Sequence, residues 1–252
     1  MINTTNEEYT SPEMKSGFLA KLENFWYYYK WHSIIALFLV FCITICSLQL
    51  CTKKTYDVYV LYAGSANITR TSQDGDVPSY NKLESTLVGR ADDYNADGET
   101  SISLYTLAFL SESERAEIEA DPELSVNEAL LQQDYEFFRD NFIYGNGGNY
   151  NVAFISPHVY EEYNTVSGVC LFTPVAGYLD SDYTEYELYS DYAVKLSSTA
   201  LYKNNASIRE ILPEDTLIVL KIKSYTASGF DKSGTEERYA ASESFFRSLL
   251  EG

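Results

Sequence analysis

Basic residues are scarce: 18 Lys and Arg stand against 37 Asp and Glu in 252 residues, a formal charge of −19. Affinity for a phosphate backbone comes from clustered cations that displace counterions, so this balance excludes nucleic acid and argues against electrostatic adhesion to anionic lipid. Histidine is rarer still, at 2 copies, and only His158 lies beyond residue 54. A two-histidine metal site cannot form in that larger part. Of 4 cysteines, Cys42, Cys46 and Cys51 belong to one apolar run or its edge. Cys170 is alone in the rest of the chain, which therefore has no internal disulfide and no thiolate metal site. Ser197 and Ser198 lack a G-x-S-x-G context, and GNGGN at 145 to 149 lacks the lysine of a phosphate loop. Internal repeats and low-complexity blocks are absent too.

What is present first is a long uncharged run. Residues 33 to 51, SIIALFLVFCITICSLQLC, carry no charge, and 19 residues of helix span about 28 Å, the thickness of a bilayer's hydrocarbon core. Just before it, Trp26, Tyr27, Tyr28, Tyr29 and Trp31 supply amphipathic rings of the kind that settle among lipid headgroups. The sequence predicts a transmembrane helix at 33–51, a juxtamembrane amphipathic and aromatic segment at 17–32, and a disordered tail at 1–16. LQLCTKK offers no small-x-small cleavage site, and the long leading region is unlike a signal peptide, so the segment reads as an uncleaved signal anchor. Lys15, Lys21 and Lys30 precede the span, whereas Lys53 and Lys54 follow it. The expectation is a single-pass protein of the cell membrane, N-terminus cytoplasmic and C-terminal domain outside. Cys42 and Cys46 share a helix face, compatible with helix pairing or with plain packing.

Residues 55–252 are long enough for one domain with a substantial core. YDVYVLY at 56 to 62, TSISLYTLAFL at about 100 to 110, YNVAFIS at about 150 to 156, GVCLFTPV at about 168 to 175 and TLIVLKIKSY at about 216 to 225 read as strands. Leu83, Leu87 and Tyr94 fall at helical spacing and predict a helix over 81 to about 94. Leu131, Tyr135, Phe138 and Phe142 line a helix over about 126 to 143, with Ser125 and Glu128 as its capping box. A short helix follows Pro157, and Ser233 with Glu236 caps a last one. Strands alternating with helices and nearly continuous in apolar residues predict an open, mostly parallel α/β sheet with helices on both faces, preceded by one transmembrane helix.

The lead ENFWYYYKWH, the span, two lysines and YDVYVLYAG together resemble a group of uncharacterised single-pass membrane proteins of Gram-positive bacteria. The order YNVAFISPHVYEEY, YAVKLSSTALYKNN, DTLIVLKIKSY and ERYAASESFFRSLLEG is similar to one lobe of a class II extracellular solute-binding protein. That resemblance covers roughly 180 residues by element order. Such proteins close two lobes over a solute, yet only about 14 residues separate Tyr202 from Leu217, where the second lobe would stand. Import by hinge closure is therefore not implied.

Three local patterns carry candidate chemistry. Asp93, Asn95, Asp97, Gly98 and Glu99 match the opening of a calcium loop, in which oxygens at positions 1, 3, 5 and 7 converge and glycine at 6 permits the turn. Position 12 is Leu104, which excludes an EF-hand and leaves a structural calcium ion, with Asp92 or a distant carboxylate helping, or a solvated acidic turn. GYLDSDYTEYELYSDY, with Tyr178, Tyr183, Tyr186 and Tyr189, reads as a recognition loop for a protein or polysaccharide, or as a connection its tyrosines pin to the sheet. His158 would need a nucleophile and an orienting carboxylate to act as a base, Glu161 and Glu162 being close in sequence. The sequence thus predicts a membrane-anchored extracytoplasmic module that binds or scaffolds a protein, small-molecule or polysaccharide ligand and is not an enzyme. An accessory subunit of a membrane complex and a hydrolase of envelope polymers are the alternatives.

Overall fold

A computed structural model describes residues 17–51, 55–65, 78–121, 125–145, 149–166, 168–179, 186–223 and 232–251. The chain divides into two compact units, residues 1–54 and 55–252.

In the first unit, α1 (Gly17–Cys51) is one unbroken helix of 35 residues, about 52 Å long at 1.5 Å per residue. The boundary expected at residue 33 is not a break, since the juxtamembrane segment continues the same helix. From Lys21 to Leu48 it is long and apolar enough to cross a membrane. Leu22, Phe25, Trp26, Leu37, Phe38, Val40, Phe41 and Ile43 are all exposed, and they point to every side. A helix lying in an interface or on a core would show one polar stripe, and this one shows none. Thr44 donates its hydroxyl to the Val40 carbonyl at 2.8 Å, which satisfies a polar group within the apolar stretch.

The second unit is built on an open six-stranded sheet in the order β2-β1-β3-β8-β7-β6. β1 (Val58–Gly64) lies parallel to both β2 (Ile102–Ala108) and β3 (Tyr150–Ile155), with Val60 opposite Leu104 on one side and Val152 on the other. The remaining pairs, β3 with β8 (Leu217–Leu220), β8 with β7 (Ala193–Lys195) and β7 with β6 (Leu188–Ser190), are antiparallel. The sheet is thus mixed: its three-strand core follows the parallel expectation and its other half reverses it. An apolar run buried on both faces carries no mark of direction, so β8 could not be oriented from its sequence.

Alternation along the central strands divides the core. Val58, Val60 and Tyr62 point to one face, with Leu83 and Leu87 of α2 (Pro78–Val88) and Phe245, Phe246 and Leu249 of α8 (Lys232–Leu250). Leu61 and Ala63 point to the other, with Phe138 and Phe142 and with Val159 and Tyr160 of α5 (Pro157–Tyr163). Both faces are covered by helices, and each fully buried Leu or Phe contributes about 1.5–3 kcal/mol.

Several boundaries differ from expectation. The helix over 126 to 143 is α4 (Glu128–Phe137) followed by a π-helical turn, Phe138–Ile143. Its cap is Asn127, whose Oδ1 accepts from the Leu130 amide at 3.2 Å, in place of the Ser125 box. The capping box is instead at the start of α3 (Glu112–Ala120), between Ser111 and Glu114. Ser233 lies inside α8. Of the strand expected at 168 to 175, Val169–Cys170 forms β5, paired in a separate hairpin with β4 (Thr165–Val166). Phe172 then bridges to Lys221, and Pro174 ends the extended run ahead of a 3-10 turn. Two short helices, α6 (Ala200–Asn204) and α7 (Ala206–Ile211), lead from β7 back to β8.

Candidate functional site

From β1 the chain passes through α2 to β2 on one side, and from β2 through α3 and α4 to β3 on the other side of β1. The order therefore reverses between β1 and β3, and open α/β sheets place ligands in the crevice outside the carboxyl ends of strands at such a point. Three chain segments meet there. The Ser156 amide donates to the Ala63 carbonyl at 2.9 Å, and the Phe109 amide to the Gly64 carbonyl at 3.0 Å, tying the strand ends together. A Cβ on Gly64 would lie 2.2 Å from Ser156 Oγ and 2.6 Å from Tyr62 OH, so the junction accepts glycine alone. Those two hydroxyls together fill the place beside the glycine where a side chain would stand.

Ser156 is 6% exposed and stands at the head of α5, yet its hydroxyl makes no capping hydrogen bond to that helix. Pro157 at the first helical position removes one amide donor there. Two residues on, His158 Nε2 is buried without a hydrogen-bond partner. Glu114 completes the group. Its Oε2 accepts from the Ser111 amide at 2.8 Å and the Ser111 hydroxyl at 2.6 Å. Burial raises the pKa of this carboxyl, but hydrogen bonds from the side chains of Ser111 and Ser65 and from the Ser111 backbone, with the charge of His158, outweigh burial and hold it below the ordinary value. The crevice thus gathers an ionised carboxylate, an imidazole nitrogen with nothing to bond and a cluster of hydroxyls. Such a set has hydrogen-bonding capacity left over; a serine-to-histidine relay at Nε2 is not formed.

The calcium pattern folds inward. Asp93 Oδ1 accepts from the Asp97 amide at 3.1 Å and Asp93 Oδ2 from the Gly98 amide at 2.8 Å. Asn95 Oδ1 takes the Asp97 amide at 2.9 Å, and Asp97 Oδ1 takes the Glu99 amide at 2.9 Å. Ala96 and Gly98 hold positive φ of 58° and 90° to make the turn. Beneath it, Asp57, 4% exposed, accepts from the amides of Asn95 at 2.9 Å and Ser101 at 2.8 Å. Among the described residues, no group of three or more His, Cys, Asp or Glu side chains is placed to hold a metal ion.

The tyrosine-rich stretch is tied down where it is described. Tyr178 donates to Glu243 Oε1 at 2.6 Å and sets its ring edge against Phe246. Tyr186 donates to the Leu250 carbonyl at 2.7 Å, and Tyr189 to Glu161 Oε1 at 2.9 Å. Tyr183 lies outside the described residues. Trp26, Tyr27, Tyr28 and Trp31 are exposed on α1. Ser198 donates to the Lys195 carbonyl and is remote in sequence from the crevice.

No protein-family model, curated protein or solved structure matches this chain. His158 was visible in the sequence as a lone histidine, but Ser65, Glu114 and Ser156 were not singled out. The pattern Ser111-x-x-Glu114 directly after a strand was a readable capping signal for one of them.

Proposed function

We propose that this is a single-pass membrane protein whose C-terminal domain lies outside the cytoplasm and binds a small ligand in the crevice at the carboxyl ends of β1 and β3. The observation that carries the reading is the buried, unpartnered Nε2 of His158 beside Ser156 and the ionised Glu114. Buried polar atoms are otherwise almost always bonded, and a protein keeps the cost of an orphan where a ligand supplies its partner. Anchoring is supported by the apolar, evenly exposed α1, and the orientation by three lysines before the span against two after it. The likeness to one lobe of a class II solute-binding protein fits a domain that captures without enclosing. An accessory subunit of a membrane complex would use the same crevice to present ligand to a partner.

The test is thermal unfolding of the full chain in nanodiscs against a panel of sugars, amino acids, inorganic anions and amines. A ligand at a hundred times its Kd raises stability by about 2.7 kcal/mol. The expected result is a compound that raises Tm in the wild type but not in Ser156→Ala or His158→Ala. A panel that moves neither protein sinks the reading. Protease accessibility of a C-terminal tag on intact cells tests the orientation, and protection there reverses it.

A further inference from the structure

The crevice already contains an anion. In α/β folds that bind phosphate, the group sits at a helix N-terminus, where unpaired amides and the helix dipole favour negative charge. Here that position at the head of α3 is taken by the protein's own Glu114, bonded to the Ser111 amide and hydroxyl and to Ser65. Glu112 adds a second acid in the same first turn. The α5 helix on the other side of the crevice is a single short piece of 7 residues whose first position is proline. Residues 55–252 carry 33 acids against 13 bases, so an approaching anion meets repulsion at long range as well as at contact.

What the crevice does offer is hydroxyl chemistry. The Ser156 hydroxyl, unbonded to its helix, can give and take a hydrogen bond, and the buried Nε2 of His158 two residues on can give one when it carries the proton or take one when it does not. A pair of neighbouring alcohol groups, which also give and take, satisfies both at once, and a third reaches the free acceptor capacity of Glu114.

We propose, resting on the reading of this crevice as a binding site, that it takes a neutral polyhydroxylated ligand and excludes phosphate and carboxylate compounds, with Glu114 as the residue that sets this selectivity.

The chain has only two histidines, so 13C-labelled imidazole signals report the site directly, His158 as the probe and His32 in α1 as internal reference. The full chain in phosphatidylcholine nanodiscs is titrated with glucose, with myo-inositol and with inorganic phosphate. Expected is a saturable shift of the His158 signal with a polyol and none with phosphate, His32 staying fixed. Ser156→Ala should weaken polyol binding about tenfold, the loss of one hydrogen bond worth about 1.4 kcal/mol. Glu114→Gln keeps the shape of the carboxylate but not its charge, and should admit phosphate with at least a tenfold gain in affinity. Phosphate shifting His158 in the wild type overturns the selectivity while leaving the crevice as a ligand site. Phosphate binding only in Glu114→Gln with no polyol response keeps Glu114 as the gate and overturns the polyol class. Silence of His158 toward all three probes in both proteins overturns the inference, and if the wider Tm panel is silent too, the crevice reading falls with it.

Discussion

The two ends of the central strands are furnished differently. At the carboxyl ends of β1 and β3 stand Ser156, Ser65, Glu114 and an imidazole nitrogen with no partner. At the amino ends, the polar groups are spoken for and the rest is aromatic. Asp57 holds two amides and the Ser101 hydroxyl. Tyr105 stacks on Phe137 with centroids 4.0 Å apart, and Tyr59 meets Tyr150 edge-on at 5.6 Å. Lys221 is the exception there, 3% exposed with its Nζ 5.7 Å from the centre of the Phe142 ring. Amino-edge residues satisfy one another and should register in stability, whereas carboxyl-edge residues leave bonding capacity over and should register in binding.

The largest stability loss is expected at the amino edge. Phe142→Ala empties a fully buried ring site between the π-helical turn and β8, and should cost about 3–5 kcal/mol in denaturant unfolding. Asp57→Ala leaves the Asn95 and Ser101 amides without their acceptor and should cost about 3 kcal/mol, with faster hydrogen exchange at both. A loss as large from Ser156→Ala, at the other edge, would break the comparison; the expected change there is within about 0.5 kcal/mol, since the hydroxyl caps nothing.

Lys221 sharpens the contrast through pH. Burial alone drives its pKa down from 10.5 to about 8. Between those values the unfolded chain binds the proton and the folded one does not, so stability rises with pH across the window from about 8 to 10. Past pH 10 the raised pKa values of Tyr160 and Tyr163, whose phenols are held neutral by burial, act in the opposite sense. Lys221→Met should flatten the rise between pH 8 and 10 and stabilise the protein at pH 7. An unchanged slope would mean that the amine is solvated in the folded state.

Much of this division was legible in advance, though not all. The β1 run was clear because six of the seven positions from Tyr56 to Tyr62 are β-branched, apolar or aromatic, and α2 followed from Leu83 and Leu87, although it ends at Val88, short of the expected Tyr94. The strands β6 and β7 have three residues each, too few for a period to emerge, so β6 fell inside the expected loop at 177 to 192 and β7 just after it was assigned to no element. The crevice was harder for a physical reason. Ser65, Glu114 and His158 are separated by tens of residues, and only the parallel pairing of β2-β1-β3 brings three loop starts to one edge. A histidine read alone looks like a surface group; the same histidine beside the end of β1 has an ionised neighbour and no partner.

The smallest effect expected is that of calcium on the Asp93–Glu99 turn, which packs against the amino edge through Asp57. Both Asp93 oxygens, Asn95 Oδ1 and Asp97 Oδ1 each already accept a backbone amide, and these bonds account for the turn without an ion. An ion would have to be held by the remaining lone pairs of side chains exposed to water, which supply little preorganisation. Calcium should therefore raise Tm no more than magnesium does at equal ionic strength, while Asp93→Ala lowers it by removing two amide acceptors. A calcium-specific rise abolished by Asp97→Ala would show that amide-bonded carboxylates still converge on an ion, and would give the amino edge a binding site of its own.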